Sequence, residues 1–385
     1  MERQLLMIPG PITFDPEVLR AQARPSLSHT EAAFGAIFGR VLRSLNEVFL
    51  CKQGQPFVIA GSGTLGMEMV AANWVERGDR AVVVDTGWFA QRYGDILRRY
   101  TDDVEVISGD IGAVPPLEKI EAALKAKPTK MLTITHVETS TGVIAPVKEL
   151  AALARRHGAL SVVDGICGTA ACEFRQDDWG VDVCLTGSQK AIGVPAGLAL
   201  IMASAAAMEA FAKRTSPISN YYCDIHNWLP VMRAFQQDKT AYFATPAVNL
   251  IYALDTSLRL ILAEGMEARF TRHERLGHAF RAGMCALNLE IVAKPGCEAP
   301  TVSGMYYPQG VDSGLLGKVA SQGVTIGGGV HPAMAPRYFR VGHMGTCTTS
   351  DLLGTIGAIE RGLAASGAKI LSGAGVAAAE RVLAA

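Results

Sequence analysis

The sequence predicts an α/β protein: a largely parallel sheet covered by helices on both faces, followed by a smaller α+β unit. Three observations predict this fold class. Short runs rich in β-branched residues are continuously apolar, stretches with helical periodicity lie between most of them, and this alternation gives way to another pattern after residue 256. Continuous apolar strands separated by helices are typical of buried parallel sheets. A chain of 385 residues is also long enough for two domains.

Seven strands are predicted for the sheet of the first domain. They lie at Phe57–Ala60, Ala81–Asp85, Val104–Ile107, Met131–His136, Leu160–Asp164, Val183–Thr186 and Leu198–Met202. Helical periodicity is clearest in Pro116–Lys127 and Val147–Arg156, each between two strands. We therefore assign residues 1–14 to an N-terminal arm and residues 15–256 to a large domain.

The remaining residues, 257–385, are predicted to form a smaller C-terminal domain. A long helix is expected over Thr256–Met284, with an interruption near Gly265. Short strands follow at Gly304–Tyr307, Val324–Ile326 and Tyr338–Val341. A helix over Asp351–Ala365 comes next, followed by another helix, and this mixture is typical of an α+β unit.

Composition argues against partners that depend on bulk charge. The chain has 36 basic and 36 acidic residues, so nothing in its net charge favours nucleic acid or an anionic membrane. Its eight cysteines form no CxxC pair and match no zinc-site spacing, which predicts free thiols and no metal. The apolar run Leu5–Ile8 is too short for a signal peptide, and no segment has the length of a membrane span. We therefore expect a cytoplasmic protein whose binding energy comes from a local site.

A glycine-rich loop, Gly61-Ser62-Gly63-Thr64-Leu65-Gly66, follows the first predicted strand and opens a helix. The backbone N–H groups of such a turn lie at the positive end of the helix dipole, which favours a phosphate. The hydroxyls of Ser62 and Thr64 add donors that suit a phosphate monoester. The loop also matches GxGxxG, and Asp85 ends the next strand, so a dinucleotide such as NAD is an alternative ligand.

Two titratable residues follow neighbouring strands. Asp164 lies at a strand end, where α/β proteins bind ligands, and a carboxylate there can keep a pyridinium nitrogen protonated. Lys190 follows the next strand in Gly187-Ser188-Gln189-Lys190 and can form a Schiff base once its amine is neutral. Taken singly, a turn aspartate and a surface lysine explain them as well. A phosphate loop, a strand-end Asp and Gly-Ser-x-Lys in this order indicate pyridoxal 5'-phosphate (PLP), and NAD chemistry explains neither Asp164 nor Lys190.

Six short runs, spread over nearly the whole chain, carry a resemblance to a known family. They are Ile8-Pro9-Gly10-Pro11, Gly61-Ser62-Gly63-Thr64, Thr135-His136-Val137-Glu138-Thr139-Ser140-Thr141-Gly142, Gly187-Ser188-Gln189-Lys190, Tyr242-Phe243-Ala244-Thr245-Pro246 and Phe339-Arg340-Val341-Gly342-His343-Met344-Gly345. With them the chain resembles the alanine–glyoxylate and serine–pyruvate aminotransferases, in the class V group of PLP fold type I enzymes. The resemblance implies transamination between a small amino acid (L-alanine or L-serine) and glyoxylate, which with alanine gives pyruvate and glycine. It also implies a seven-stranded large domain and a role in glyoxylate detoxification and glycine biosynthesis.

The resemblance implies a role for each matching residue. Lys190 is expected to hold PLP as a Schiff base and to transfer the substrate's α-proton, and Asp164 to face the pyridinium nitrogen. Further cofactor contacts are expected from Ser62, Gly63, Thr64, Phe89, Thr139, Ile166, Gln189, Tyr242 and Thr245. Phe89 stands where many relatives have tryptophan, so either Phe89 or the adjacent Trp88 stacks on the ring.

Substrate and subunit contacts are implied in the same way. Arg340 is expected to bind the substrate carboxylate through a bidentate fork, and Gly10 is expected at the same site. Tyr242 and Thr245 would reach the phosphate of the neighbouring subunit, so the resemblance implies a homodimer with shared active sites.

Four alternatives stay open. They are a serine–pyruvate aminotransferase, a pyridoxamine–pyruvate aminotransferase, a cysteine desulfurase-like PLP enzyme and an NAD-binding oxidoreductase. The loop Ser62-Gly63-Thr64 argues against the pyridoxamine–pyruvate activity, because that reaction uses an unphosphorylated vitamin. Cys347 is the one candidate thiol for a desulfurase. No second cationic residue is assigned to a donor's side-chain carboxylate, which favours alanine or serine over aspartate, and His136, His343 and Glu138 are left without a role.

Overall fold

The secondary structure is given by a computed structural model that describes residues 4–384. The strands are β1 (Leu5–Leu6), β2 (Gln55–Ala60), β3 (Arg80–Asp85), β4 (Asp103–Ser108), β5 (Met131–Thr135), β6 (Val137–Glu138), β7 (Val143–Ile144), β8 (Leu160–Asp164), β9 (Val183–Gly187), β10 (Leu198–Ala203), β11 (Val302–Tyr306), β12 (Val324–Thr325), β13 (Gly327–Gly328) and β14 (Tyr338–Gly342). The helices are α1 (Pro16–Gln22), α2 (Ala32–Val48), α3 (Gly63–Trp74), α4 (Trp88–Leu97), α5 (Leu117–Ala126), α6 (Val147–Arg156), α7 (Gln176–Trp179), α8 (Ala205–Ala212), α9 (Ile225–Gln236), α10 (Val248–Glu264), α11 (Met266–Ala286), α12 (Gly314–Ala320), α13 (Thr349–Ala365) and α14 (Ala374–Ala384), with a 3-10 turn at Ala335–Arg337.

The central sheet has seven strands in the order β2-β10-β9-β8-β5-β3-β4. Strand β10 is antiparallel to both of its neighbours, and the other neighbouring strands are parallel. Consecutive side chains on β3, Val82, Val83 and Val84, are all buried, so both faces of the strand are covered. All seven strands predicted from the sequence are present, and the predicted α/β class with a mostly parallel sheet is confirmed.

The carboxyl ends of β2, β3, β5, β8 and β9 lie at one edge of this sheet, because these strands run in the same direction. The register places Asp164, the last residue of β8, beside Thr135 of β5 and Leu185 of β9. The loops that follow these five strands therefore meet at one edge, where open α/β sheets bind their ligands.

A second, smaller unit has its own cluster of buried apolar residues. Its strands β11, β14 and β13 form an antiparallel sheet, and β1 joins the unit by pairing in parallel with β12. The chain then crosses to the large sheet, where the Ile12 N–H donates to the Gln189 carbonyl at 3.2 Å. The N-terminal segment thus bridges both units and brings Gly10 to the edge of the large sheet.

The helical region between the two units matches the prediction in part. Two helices, α10 and α11, meet at Gly265, the predicted interruption, but α10 begins at Val248, eight residues before the predicted start at Thr256. Its buried face already includes Ile251 and Leu254, so the helical pattern extends further back than expected. The division into residues 1–14, 15–256 and 257–385 stays a prediction, and residues 1–3 and 385 lie outside the described residues. Within residues 4–384, no helix combines the length and the hydropathy that crossing a bilayer requires.

Candidate active site

A cavity of about 340 Å³ lies at the carboxyl-terminal edge of the large sheet, between the two units. Most of the residues predicted for a site line it, namely Gly10, Ser62, Gly63, Thr64, Phe89, Thr139, Asp164, Ile166, Gln189, Lys190 and Arg340. Sequence reasoning missed seven further lining residues, namely Ile8, Pro9, Met67, Arg92, Val137, Gly327 and Val330. The fold therefore brings together residues that are up to 332 positions apart in the chain.

The loop between β2 and α3 presents the amino end of a helix to the cavity. Ser62 is the N-cap residue of α3, yet its side chain makes no capping hydrogen bond, so its hydroxyl stays available. The first-turn N–H groups of a helix have no partner within the helix. A Cβ at Gly63 would lie 2.5 Å from Ile166 Cδ1, so glycine is needed for the helix to approach this closely. The loop can thus hold an anion through backbone and hydroxyl donors.

Asp164 is a buried carboxyl at the floor of the cavity, with 2% of its surface exposed. The Ile166 N–H donates to its Oδ1 at 3.0 Å. The pKa of this carboxyl is raised from its ordinary 3.8 to about 7, mainly by burial and less by the nearby Glu138, while the Ile166 N–H and the charges of Lys190 and Arg92 oppose the shift. A cationic ring nitrogen next to Asp164 would favour the carboxylate form.

Lys190 follows β9 and is also buried, with 7% of its surface exposed. Its Nζ donates to the Pro9 carbonyl and to Thr139 Oγ1, the latter at 3.3 Å, and lies 3.8 Å from Cys167 Sγ. Burial lowers the pKa of this amine, which makes the neutral, nucleophilic form easier to reach. Gly10, at φ +116°, lies against its alkyl chain: a Cβ there would come within 2.6 Å of Lys190 Cδ.

Arg340 lies on β14 and faces the cavity from the smaller unit, with 9% of its surface exposed. Its Nε donates to the Gly328 carbonyl at 2.8 Å and its Nη1 to the Thr139 carbonyl at 3.2 Å. Within residues 4–384 its Nη2 has no acceptor and no carboxylate pairs with it. Burial lowers the pKa of the guanidinium, and a buried cation without a counter-ion favours an anionic ligand.

Phe89 and Ile166 both line the cavity, whereas Trp88 does not. Of the two adjacent aromatic residues, Phe89 is therefore the one that faces the cavity, and its stacking on a cofactor ring stays a prediction. The guanidinium of Arg92 lies 4.5 Å from the Trp88 ring and 4.8 Å from the Phe89 ring, measured to the ring centroids. Arg92 follows Phe89 by three positions on α4, so both side chains lie on the same face of the helix. This spacing is the sequence signal by which Arg92 could have been predicted at the site.

Comparison with known proteins places the chain in a family. The sequence profile described as aminotransferase class-V matches residues 19–353. The chain belongs to the class-V aminotransferase family. The predicted recognition and the predicted aminotransferase chemistry are thus confirmed.

Relatives of this class-V aminotransferase cover almost its full length. It is 38% identical to alanine–glyoxylate aminotransferase 1 of Saccharomyces cerevisiae, over 88% of this chain and 91% of the relative. It is 34% identical to the L-aspartate–glyoxylate aminotransferase of Paracoccus denitrificans, over 97% of this chain and 95% of the relative. The crystal structure of pyridoxamine–pyruvate aminotransferase from Mesorhizobium loti is similar with a TM-score of 0.93 and 26% identity, over 100% of this chain and 98% of that one. The predicted PLP fold type I is confirmed by such neighbours.

Two residues predicted for cofactor binding lie outside the cavity of the single chain. Tyr242 and Thr245 are in the loop before α10, and both are exposed, Tyr242 to 62% of its surface. The Tyr242 ring contacts His29, with 5.2 Å between the ring centroids. Their contribution to a neighbouring subunit of this class-V aminotransferase stays a prediction.

The residues behind the competing predictions also lie outside the cavity. Asp85, the dinucleotide candidate, accepts hydrogen bonds from the Gly87 N–H at 3.0 Å and from Ser108 Oγ at 2.7 Å. Cys347, the desulfurase candidate, is buried, and burial raises the pKa of its thiol to about 12. A thiol with this pKa is a poor nucleophile at neutral pH.

His136 and His343 have packing roles in this class-V aminotransferase. His343 Nδ1 lies 2.8 Å from the Pro300 carbonyl, and its Nε2 lies 3.0 Å from Ser303 Oγ. His136 packs against the Phe174 ring, with 5.8 Å between centroids. Burial lowers the pKa of His136 to about 4 and that of His343 to about 3, so both rings are neutral at physiological pH.

Proposed function

We propose that this protein uses PLP to transfer an amino group from a small amino acid, L-alanine or L-serine, to glyoxylate. One observation carries the proposal: Lys190, Asp164 and Arg340, all buried, line one cavity. Membership of the class-V aminotransferase family supports the reaction type. The 38% identity to an alanine–glyoxylate aminotransferase supports a substrate pair that yields pyruvate and glycine.

The residues of the cavity fit PLP in size and in chemistry. The amino end of α3, with the hydroxyls of Ser62 and Thr64, suits the phosphate, and Gln189 lies beside it. The buried Oε1 of Gln189 has no partner within residues 4–384, so this amide is free to turn its nitrogen toward an anion. Asp164 suits the ring nitrogen, and Phe89 and Ile166 suit the two ring faces. When bound, PLP supplies an electron sink for the charge left after the substrate loses its α-proton.

Lys190 is the residue proposed to move the proton. Its lowered pKa makes the neutral amine available, and this form can accept the proton from the substrate Cα and return it to the cofactor side. The Pro9 carbonyl and Thr139 Oγ1 accept hydrogen bonds from Nζ and hold it at the cavity wall. An amine held in this way would be positioned for proton transfer to and from a ligand in the cavity.

Arg340 is proposed to orient the substrate by its α-carboxylate. Two of its N–H groups are committed to backbone carbonyls, which fixes the guanidinium plane, and Nη2 has no partner among the described residues. A fixed guanidinium binds a carboxylate through parallel hydrogen bonds, so it sets the direction of the Cα–H bond. Both the amino donor and the keto-acid acceptor carry this carboxylate, and one residue can thus serve both half-reactions.

We further propose a homodimer in which Tyr242 and Thr245 complete the phosphate site of the partner. Both residues are exposed in the single chain, and Tyr221, at 77% exposure, lies nearby with its ring 5.4 Å from that of Phe243. Large exposed aromatic residues that lie close together on two neighbouring loops support a contact with another chain. This part of the proposal predicts that a Tyr242→Ala variant binds PLP more weakly although Tyr242 lies outside its own chain's cavity.

A pyridoxamine–pyruvate aminotransferase is the second candidate, supported by the TM-score of 0.93 to such an enzyme. The two candidates differ in what the amino end of α3 binds. A resident PLP places a phosphate there, whereas free pyridoxamine has no phosphate to place. The Ser62-Gly63-Thr64 loop, with its uncommitted N-cap hydroxyl, favours the resident cofactor.

Arg92 qualifies the expected donor preference, because it adds a second guanidinium to the cavity wall. The absence of such a residue was the argument for alanine or serine over aspartate. The likeness to an L-aspartate–glyoxylate aminotransferase gives a reason to test a dicarboxylic donor as well. The preferred amino donor is therefore to be determined by comparing turnover with L-alanine, L-serine and L-aspartate.

Spectroscopy of the purified, PLP-loaded protein tests the proposal. Adding L-alanine without an acceptor should deplete the visible absorption of the bound cofactor, and glyoxylate should restore it, with pyruvate and glycine as measured products. A Lys190→Ala variant should lose turnover, whereas Lys213→Ala, at an exposed lysine, should not. A spectrum that responds to none of the three amino acids would refute the proposal. Turnover of free pyridoxamine with pyruvate, and no retained PLP, would establish the second candidate.

A further inference from the structure

Glu138 is a carboxylate with no exposed surface that lies beside the cavity but does not line it. Its donors in the described chain are all uncharged. Oε2 accepts from the N–H groups of Phe89 at 3.1 Å and Ala90 at 3.0 Å. Oε1 accepts from the N–H of Ser140 at 2.9 Å and from its hydroxyl at 2.7 Å. A buried charge that is held by hydrogen bonds alone is costly, so its place next to the site calls for a role.

The hydrogen bonds of Glu138 anchor the first turn of α4, which carries Phe89. The Trp88 N–H donates to Ser140 Oγ at 3.0 Å, so three successive amides, those of residues 88–90, are bound by this carboxylate and its serine partner. Gly87, at φ +152°, lies directly against the pair, and a Cβ there would come within 2.7 Å of Glu138 Cγ. Glu138 therefore anchors the backbone from which the Phe89 side chain projects.

The same segment is bound by the smaller unit from its other side. The Tyr338 hydroxyl donates to the Ser140 carbonyl at 2.6 Å, and Arg340 Nη1 donates to the Thr139 carbonyl at 3.2 Å. Tyr338 and Arg340 are two positions apart on β14, so both side chains point to the same face. The Tyr338 oxygen also accepts the N–H groups of Val330 and His331, each at 3.0 Å. Residues 138–140 thus connect Arg340, which is proposed to bind the substrate, with the first turn of α4, which carries Phe89.

We propose that Glu138 is a positioning residue that sets the Phe89 ring against the cofactor, and that Ser140 and Tyr338 hold this ring at a fixed position relative to Arg340. The inference rests on the proposed function and deepens it. Glu138 acts on the cofactor through the amides of α4, whereas Tyr338 acts on the substrate through β14. The two residues are joined by the Ser140 main chain and hydroxyl.

Three variants test this arrangement: Glu138→Gln, Tyr338→Phe and, as a control at an exposed glutamate, Glu149→Gln. Each keeps the side-chain size nearly unchanged. Three quantities are measured: the dissociation constant of PLP from the unloaded protein, the visible circular dichroism of the loaded protein, and kcat and KM for L-alanine. Amide hydrogen exchange at residues 88–90 is recorded for the unloaded protein, so that one readout is independent of turnover.

For Glu138→Gln we expect PLP to bind about tenfold more weakly, the effect of one charge-assisted hydrogen bond. The circular dichroism band should change, and the amides of Phe89 and Ala90 should exchange faster. For Tyr338→Phe we expect a raised KM for L-alanine with PLP affinity unchanged, and for Glu149→Gln no change. If Glu138→Gln does not fold, Ser140→Ala takes its place with the same expectations.

The outcomes separate this inference from the proposed function. A folded Glu138→Gln protein with PLP affinity within about twofold of the unmodified protein, an unchanged dichroism band and unchanged exchange would overturn the positioning role alone. An unmodified protein that binds no PLP would overturn the proposed function. In that case, unchanged exchange at residues 88–90 in Glu138→Gln would overturn the anchoring as well.

Discussion

A Gly10→Ala substitution tests whether the N-terminal segment shapes the active site. Gly10 has φ +116°, and a Cβ there would lie 2.6 Å from Lys190 Cδ and 2.8 Å from Lys190 Cε. Since ordinary contacts begin near 3.4 Å, the lysine must retreat by about 1 Å. A misplacement of about 1 Å can lower the rate about 100-fold. We therefore expect kcat for the L-alanine and glyoxylate reaction to fall by about that factor.

Backbone strain needs its own control, because alanine at positive φ costs about 1–3 kcal/mol wherever it occurs. Gly78 supplies this control: its φ is +98°, and no atom lies within 4 Å of the Cβ that alanine would add. Gly78→Ala should therefore lower the melting temperature as Gly10→Ala does, without lowering kcat. Turnover is followed by pyruvate release, and stability by thermal unfolding of each PLP-loaded variant. Equal kcat values for the two variants would refute the assignment of Gly10 to the site of Lys190.

Three further predictions concern charged and titratable groups. Arg340→Met should lower kcat/KM for both L-alanine and glyoxylate, mostly through KM, by a factor equivalent to about 2–5 kcal/mol of transition-state stabilisation. Arg337→Met, at a neighbouring exposed arginine, should have little effect. Steady-state kinetics that show a loss for only one substrate would contradict the shared carboxylate site. The folded, unloaded protein keeps the Asp164 proton up to about pH 7, whereas the unfolded chain releases it near 3.8, so this contribution to stability is complete below about pH 4 and is lost as pH rises through about 7. The free energy of unfolding of Asp164→Asn, measured with urea, should not show this loss. The same pH profile for the variant and the unmodified protein would count against a raised pKa of Asp164. Cys347→Ser should leave transamination unchanged, and release of sulfide from L-cysteine by the unmodified protein but not by the variant would restore the desulfurase alternative.

The large sheet was predictable because its signals are local. Seven apolar runs of strand length gave seven strands, and helices between them implied that their carboxyl ends share an edge. Asp164 and Lys190 follow neighbouring parallel strands, so their meeting in one cavity follows from topology alone. These inferences need only the direction of each strand, which the crossover helices set.

Other parts of the site depend on long-range packing that the sequence does not display. Strand β13 is Gly327–Gly328, whose composition gives no strand signal, yet its pairing with β14 brings Gly327 to the cavity. Pro9 reaches Lys190 because β1 pairs with β12, more than 300 positions away in the chain. The sequence assigns no role to Glu138, because its hydrogen bonds are made with amides of a separate helix, α4.

The charges in the cavity indicate what kind of ligand the fold is built to hold. Three basic side chains, Arg92, Lys190 and Arg340, and one acidic side chain, Asp164, line it, and none of the three bases forms an ion pair within residues 4–384. The buried, unpaired guanidinium of Arg340 opposes folding and the first-turn amides of α3 lack partners within the helix, so the cavity is stabilised when anionic groups enter it. A phosphate at the amino end of α3 and a carboxylate at Arg340 meet this requirement at two separate places. An unphosphorylated vitamin meets it at only one, because the N-terminal end of α3 and the free Ser62 hydroxyl would then face no anion. The arrangement of charge therefore favours a phosphorylated cofactor together with a carboxylate substrate over either one alone.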